Sequence, residues 1–224
     1  MGNQLTCVDI NRVLLTPLER PLSVVGDAVA VESYCKPHAV SLQIMAQFTF
    51  PNKFVVRDAS TGAVCFRREK THILSNRQTL VRIDGNDVAP VANSKKTLFS
   101  PTHAIHVFPG TSHHGAELFQ TLRIKMSFSF TEVHAEFTDR ASGQQCVIGI
   151  EGIWSRHHAY FWLDRGLTGA RDPIANVWVY DTQHRGKALY TLEIAPNVDA
   201  ALLVILCMVL DERWMRIENS SGYT

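Results

Sequence analysis

Toward its C-terminal end the chain reads Asp199-Ala200-Ala201-Leu202-Leu203-Val204-Ile205-Leu206-Cys207-Met208-Val209-Leu210-Asp211-Glu212. Eleven apolar residues in a row are closed by acids at both ends. A membrane span needs about 20 apolar residues, and as a helix this run would be only about 16 Å long. Asp199 suits the N-cap, because its carboxylate can accept from the free amides of the first turn. The run has no polar face, so the helix it forms must be covered on every side. Burying its large side chains is worth roughly 1.5–3 kcal/mol each before entropy. Almost everything upstream reads as β-strand, so the simplest cover is a sheet curled round the helix. Such a barrel has little room for an internal active site.

The upstream strands are expected at 40–44, 54–57, 63–67, 80–83, 104–108, 122–130, 133–138, 146–150, 159–163, 174–180 and 189–194, all rich in valine, isoleucine and aromatic residues. Turn chemistry separates them. Asp58-Ala-Ser-Thr-Gly62 and Asp139-Arg-Ala-Ser-Gly143 share one spacing, and Asp84-Gly85-Asn86-Asp87 is a short turn rather than a calcium loop. The longest excursion expected is the loop 109–115. No long Pro/Ser/Gly linker divides the 224 residues. The expected organisation is an irregular arm at 1–21, one barrel domain at 22–213 with its core helix at 199–212, and a fraying tail at 214–224.

Composition is ordinary: 46% apolar, 19% charged, formal net charge +1. Near-neutrality removes the general argument for direct nucleic-acid binding, which needs a basic face. The five cysteines are widely spread with no C-x-x-C pair, which reads as reduced thiols in a cytoplasmic protein. No signal peptide is expected, since the apolar stretch after Val13 is broken by Pro17, Glu19, Arg20 and Pro21. The start Met1-Gly2-Asn3-Gln4-Leu5-Thr6 fits N-myristoylation at Gly2, with Cys7 as a palmitoyl acceptor. The alternative is an accidental match in an irregular terminus. One myristoyl chain holds a membrane only marginally, so a second signal would be needed.

Four segments stand out in order along the chain. The first two are Tyr34-Cys35-Lys36-Pro37 with Val40-Ser41-Leu42-Gln43-Ile44, then Phe54-Val55-Val56-Arg57-Asp58 with Gly62 and Ala63-Val64-Cys65-Phe66. Further on come Cys146-Val147-Ile148-Gly149-Ile150-Glu151-Gly152-Ile153-Trp154 and Ala195-Pro196-Asn197-Val198-Asp199-Ala200. Together they are similar to the LURP-one-related family, whose domain resembles the tubby C-terminal domain and the phospholipid scramblases. The resemblance implies a closed barrel of about twelve strands around a C-terminal helix, no catalytic residues and no cofactor. It associates the fold with phosphoinositide binding, membrane-tethered regulators and, in scramblase-like relatives, lipid movement. Arg68 and Glu69 depart from the pattern where the family's second strand would continue, so that strand is expected to end early or turn outward there.

Histidine pairs at 113–114 and 157–158 cannot chelate alone, because strand neighbours point to opposite faces. No metal site is expected. Ser112 lacks the strand-to-helix turn a nucleophile elbow requires, and no phosphate-binding glycine loop is present. The basic groups Arg67-Arg68-Glu69-Lys70, Lys95-Lys96, Arg123/Lys125 and Arg185/Lys187 lie on strands or adjoining turns. Arg123 and Lys125 share one strand face by period-two alternation. With Arg67, Arg68 and Lys70 they are the expected lipid-binding residues, against the alternative of an ordinary solvated exterior. The expected protein is a non-enzymatic, monomeric membrane-surface binding or adaptor module. It is expected in the cytoplasm and peripheral at a membrane, with anionic phospholipid headgroups or a protein as partner. The alternatives are a scramblase-like protein that moves phospholipid, or a protein-partner module with no lipid ligand.

Overall fold

The structure, a computed structural model, describes residues 12–25, 34–47, 53–70, 77–96, 105–112, 115–181 and 187–220, with the backbone alone for Lys70, Lys96, Tyr180, Asp181, Lys187 and Asn219. Among the described residues, twelve strands precede one long helix. They are β1 (Val40–Gln47), β2 (Lys53–Asp58), β3 (Val64–Lys70), β4 (Arg77–Asp84), β5 (Asp87–Lys96) and β6 (Ile105–Pro109). The second half holds β7 (Thr121–Met126), β8 (Thr131–Thr138), β9 (Gln145–Ile153), β10 (His158–Arg165), β11 (Asp172–Asp181) and β12 (Lys187–Ile194). The sheet runs β6-β5-β4-β3-β2-β1-β12-β11-β10-β9-β8-β7 and is antiparallel throughout. It makes a nearly closed barrel whose seam lies between β6 and β7. The connecting segment bridges that seam: Leu118 N donates to Val107 O at 2.8 Å and Gln120 N to Glu136 O at 2.7 Å.

The lumen is filled by the helix α1 (Ala200–Ser220), in which every residue from 200 to 212 is buried. Inward side chains of alternating strand positions meet it: Leu42 and Ile44 from β1, Phe137 from β8, Phe161 from β10 and Tyr190 from β12. Asp199 caps as expected, its Oδ1 accepting from Leu202 N at 3.1 Å. The helix is longer than the expected 199–212. Arg213, Met215, Arg216 and Glu218 are good helix formers, and Trp214 is buried, so no break occurs before Ser220.

Two further expectations about strands need correction. β5 has no counterpart among the expected strands, because Pro90 and Asn93-Ser94-Lys95-Lys96 hide its pattern; Pro90 is accommodated at a register shift opposite Leu80/Val81. The strand expected at 122–130 ends at Met126, and residues 127–130 form a tight turn instead. The Cys146-to-Trp154 segment needs its two glycines for packing. A Cβ on Gly149 would stand 2.0 Å from the Trp162 ring, and one on Gly152 (φ +125°) 2.4 Å from His158 O.

Antiparallel pairing sorts the strand ends into two mouths. Where α1 begins, the rim carries Asp58, Asp84, Asp87 and Asp172, with Arg165 the one basic strand end among them. Where α1 leaves the barrel, the strand ends are Lys53, Lys70, Arg77, Lys96 and Lys187, with Asp181 the one acid among them.

Candidate functional site: the basic mouth

The acidic mouth is closed by the arm. Residues 12–25 run irregularly along the outer wall of β11 and β12 and then across the opening, held by backbone bonds such as Thr16 N to Pro173 O and Leu22 N to Asn197 O, both 2.8 Å. Asp199 Oδ2 accepts from Val24 N at 3.1 Å and Val25 N at 2.9 Å. Asp139 Oδ1 accepts from Ser23 N at 3.0 Å. Both carboxylates are buried and engaged by the chain itself.

The basic mouth is anchored from within by Asp211. Its Oδ1 accepts from Trp154 Nε1 at 2.9 Å and lies 3.3 Å from His157 Nε2, while Oδ2 accepts from the Tyr190 hydroxyl at 2.7 Å. Burial, and then the neighbouring Asp211 charge, hold the Tyr190 hydroxyl well above its ordinary range. Arg68 reaches toward the same node. Its Nη1 donates to Gln78 Oε1 at 3.3 Å, and its Nε and Nη2 are buried with no hydrogen-bond partner among the described residues. Burial pushes its guanidinium down to about 10, against the pull of Asp211, so it remains a cation at neutral pH.

The expected lipid-binding residues are not brought to one face. β3 does not end at Arg68; alternation continues to Lys70, so Phe66 and Arg68 point inward and Arg67 and Glu69 outward. Arg67 Nη2 pairs with Glu69 Oε1 at 2.6 Å on the exposed side. Lys70 closes the strand at the rim. Arg123 and Lys125 do share the outer face of β7, but acids of β8 interleave with them. Lys125 Nζ lies 3.2 Å from Glu132 Oε2. Arg123 faces His134, and the Glu136 carboxyl is held below its usual range by hydrogen bonds from His134 and Thr121, with smaller help from the His134 and Arg123 charges. Gly2, Cys7, Arg185 and His113-His114 lie outside the described residues.

What strand-by-strand reading missed is the summed effect of the rim. Exposed Lys53 and Arg156 stand at the mouth, and Arg216 is exposed where α1 runs past it. At the same end, the turn at 127–130 exposes Phe128 and Phe130, 48% and 50% accessible. The signal was available: once strand directions alternate, the basic residues at every second strand boundary fall at one end. Among the described residues, no three His, Cys, Asp or Glu side chains converge as a metal site, and no helix is long and apolar enough to cross a membrane.

The model of the LURP-one-related family matches residues 40–211. This chain belongs to the LURP-one-related family. The match spans β1 through Asp211, taking in every strand and the buried part of α1 but not the arm, and agrees with the tubby-like barrel. The family is not a known enzyme family, and membership is compatible with a non-enzymatic tubby-like domain. Neither the curated proteins nor the solved structures compared with the chain gave a match.

Proposed function

We propose that this LURP-one-related protein is a non-enzymatic adaptor that docks on anionic membrane surfaces through the basic mouth of its barrel. The observation that carries the reading is the segregation of charge between the two mouths. The acids Asp139 and Asp199 at the arm-covered end are consumed by backbone amides, whereas Lys53, Arg156 and Arg216 at the other end face solvent. A near-neutral protein with one basic end is drawn to a negative surface in one orientation. The buried helix favours this surface role over lipid movement, since residues 200–212 are enclosed by protein and offer nothing to an acyl chain. A myristate on Gly2, with Cys7 acylation, would supply the second signal that stable anchoring requires.

The test is sedimentation with phosphatidylcholine vesicles, with and without phosphatidylserine. Each rim charge near such a surface is worth about 1 kcal/mol. Combining Lys53→Glu, Arg156→Glu and Arg216→Glu should weaken binding to anionic vesicles by about a hundredfold, and added salt should weaken the parent in the same way. Equal binding by variant and parent would remove the mouth from the site. A parent that ignores anionic vesicles would favour a protein partner for the domain.

A further inference from the structure

The turn at 127–130 stands apart from the other exposed apolar positions. Leu14, Val88 and Leu167 are isolated residues, and Val88 and Leu167 lie at the acidic end of the barrel. Phe128 and Phe130 instead share one four-residue turn at the basic end. Scattered single apolar residues are ordinary on a surface, whereas a paired aromatic tip is not.

The tip is also stiff. Ser127 Oγ accepts from Ser129 N and Phe130 N, both at 3.2 Å, and Ser127 N donates to Phe130 O at 2.9 Å. Phe128 O accepts from Ser155 Oγ at 3.1 Å, tying the turn to the 3₁₀ turn Trp154–Arg156. The Phe128 ring packs edge-to-face with Trp214 in α1, ring centroids 4.8 Å apart. A preordered tip loses little entropy on insertion. The exposed cation tied most directly to it is Arg156, which follows Ser155, and α1 carries exposed Arg216 past the same mouth. Among the nearby charges, Lys125 and Glu132 offset one another.

We propose that the 127–130 turn is a membrane wedge, seating Phe128 and Phe130 at the boundary between headgroups and acyl chains while the basic rim meets anionic headgroups. This rests on the membrane-surface reading above and adds its apolar component. Lipid is the occupant that charge selects: an aromatic tip next to exposed Arg156, at the basic mouth, matches an anionic interface, where rings sit at headgroup level and guanidinium groups reach phosphates.

The full chain is tested on phosphatidylcholine vesicles carrying phosphatidylserine. Phe128→Ser with Phe130→Ser should bind roughly tenfold or more weakly, from the lost apolar transfer, and its residual binding should be more salt-sensitive than the parent's. Phe130→Ser alone, which leaves the Phe128–Trp214 contact in place, should show the same trend at smaller size. A Phe130→Trp variant supplies a position readout, because its introduced indole should be quenched by vesicles with brominated acyl chains. An unquenched indole on bound protein, or Phe130→Ser binding equal to the parent, would overturn the wedge while leaving the charge-based reading intact; such a tip would face a protein. No vesicle binding by the parent would overturn both.

Discussion

The two mouths of the barrel hold similar chemistry put to opposite uses. At each, a carboxylate at one end of the helical core is buried: Asp199 where α1 begins and Asp211 near the rim it passes on leaving. Asp199 is met by backbone amides of Val24, Val25 and Leu202, so its partners belong to the arm and the first helical turn. Asp211 is met by side chains, from Trp154, Tyr190 and His157. The first arrangement closes a mouth by tying a strap across it. The second braces the wall from inside and leaves the rim free to carry unburied cations and two phenylalanines. A buried charge with a full set of partners reports on folding; a charge left at a rim is free to serve binding.

The largest effect should come from severing the core that joins the two ends. Leu206 is fully buried midway along the apolar run. Leu206→Asp places an ionised carboxylate among apolar strands with no partner, at a cost of several kcal/mol. We expect loss of the folded state, read as loss of near-ultraviolet circular dichroism. A near-native melting temperature would mean that α1 is not the core.

This helix was the most legible part of the chain, because eleven apolar residues between two acids leave no alternative short of a barrel-like enclosure. The recurrent Asp-to-Gly turns were legible for a similar reason. Asp58 and Asp139 each fold back on backbone amides, and Gly62 and Gly143 both take φ +71°. Their environments were not legible, since Asp139 is buried under Ser23, an interaction spanning more than a hundred residues. β5 and the 127–130 turn failed for a local reason: a proline and four polar residues disguised one strand, and apolar phenylalanines disguised a turn. The inward Arg68 failed for a different one. Alternation does place it inside, but only the fold supplies Gln78 and the field of Asp211 that make an inward arginine tolerable.

Removing the braces should separate the mouths by mechanism. Asp211→Ala leaves the donors of Trp154 and Tyr190 buried without an acceptor, which should cost roughly 2–4 kcal/mol in a denaturant melt. An effect under half a kcal/mol would show that water replaces the carboxylate there. Asp199 adds a pH signature. Burial pushes its carboxyl from the ordinary 3.8 up to about 6, against the downward pull of its amide donors. Between those values the folded protein holds a proton that the unfolded chain has released, so this group's contribution to stability falls as pH rises through the window. Asp199→Asn keeps a capping oxygen and removes the titration. The expected outcome is a flatter dependence of unfolding midpoint on pH across that interval; an unchanged slope would assign the dependence to another group.

The smallest effect should come from the face that strand periodicity first singled out. Arg123 and Lys125 are exposed on β7, but Glu132 and Glu136 on β8 alternate with them, so the patch presents almost no net charge. Reversing both residues to Glu turns that balanced surface acidic. Lys125 lies two residues before the 127–130 turn and so near a docked headgroup layer, whereas Arg123 stands a further two residues, about 7 Å, up the wall. Arg123→Glu with Lys125→Glu should therefore lower binding to phosphatidylserine-containing vesicles by about tenfold, below the rim reversal. Exposed ion pairs of this kind contribute about 0–1 kcal/mol, so the melting temperature should scarcely move. If this pair proves as damaging as reversing Lys53, Arg156 and Arg216, the barrel docks on its β7–β8 wall rather than on its mouth, and the contrast between the two ends loses its functional meaning.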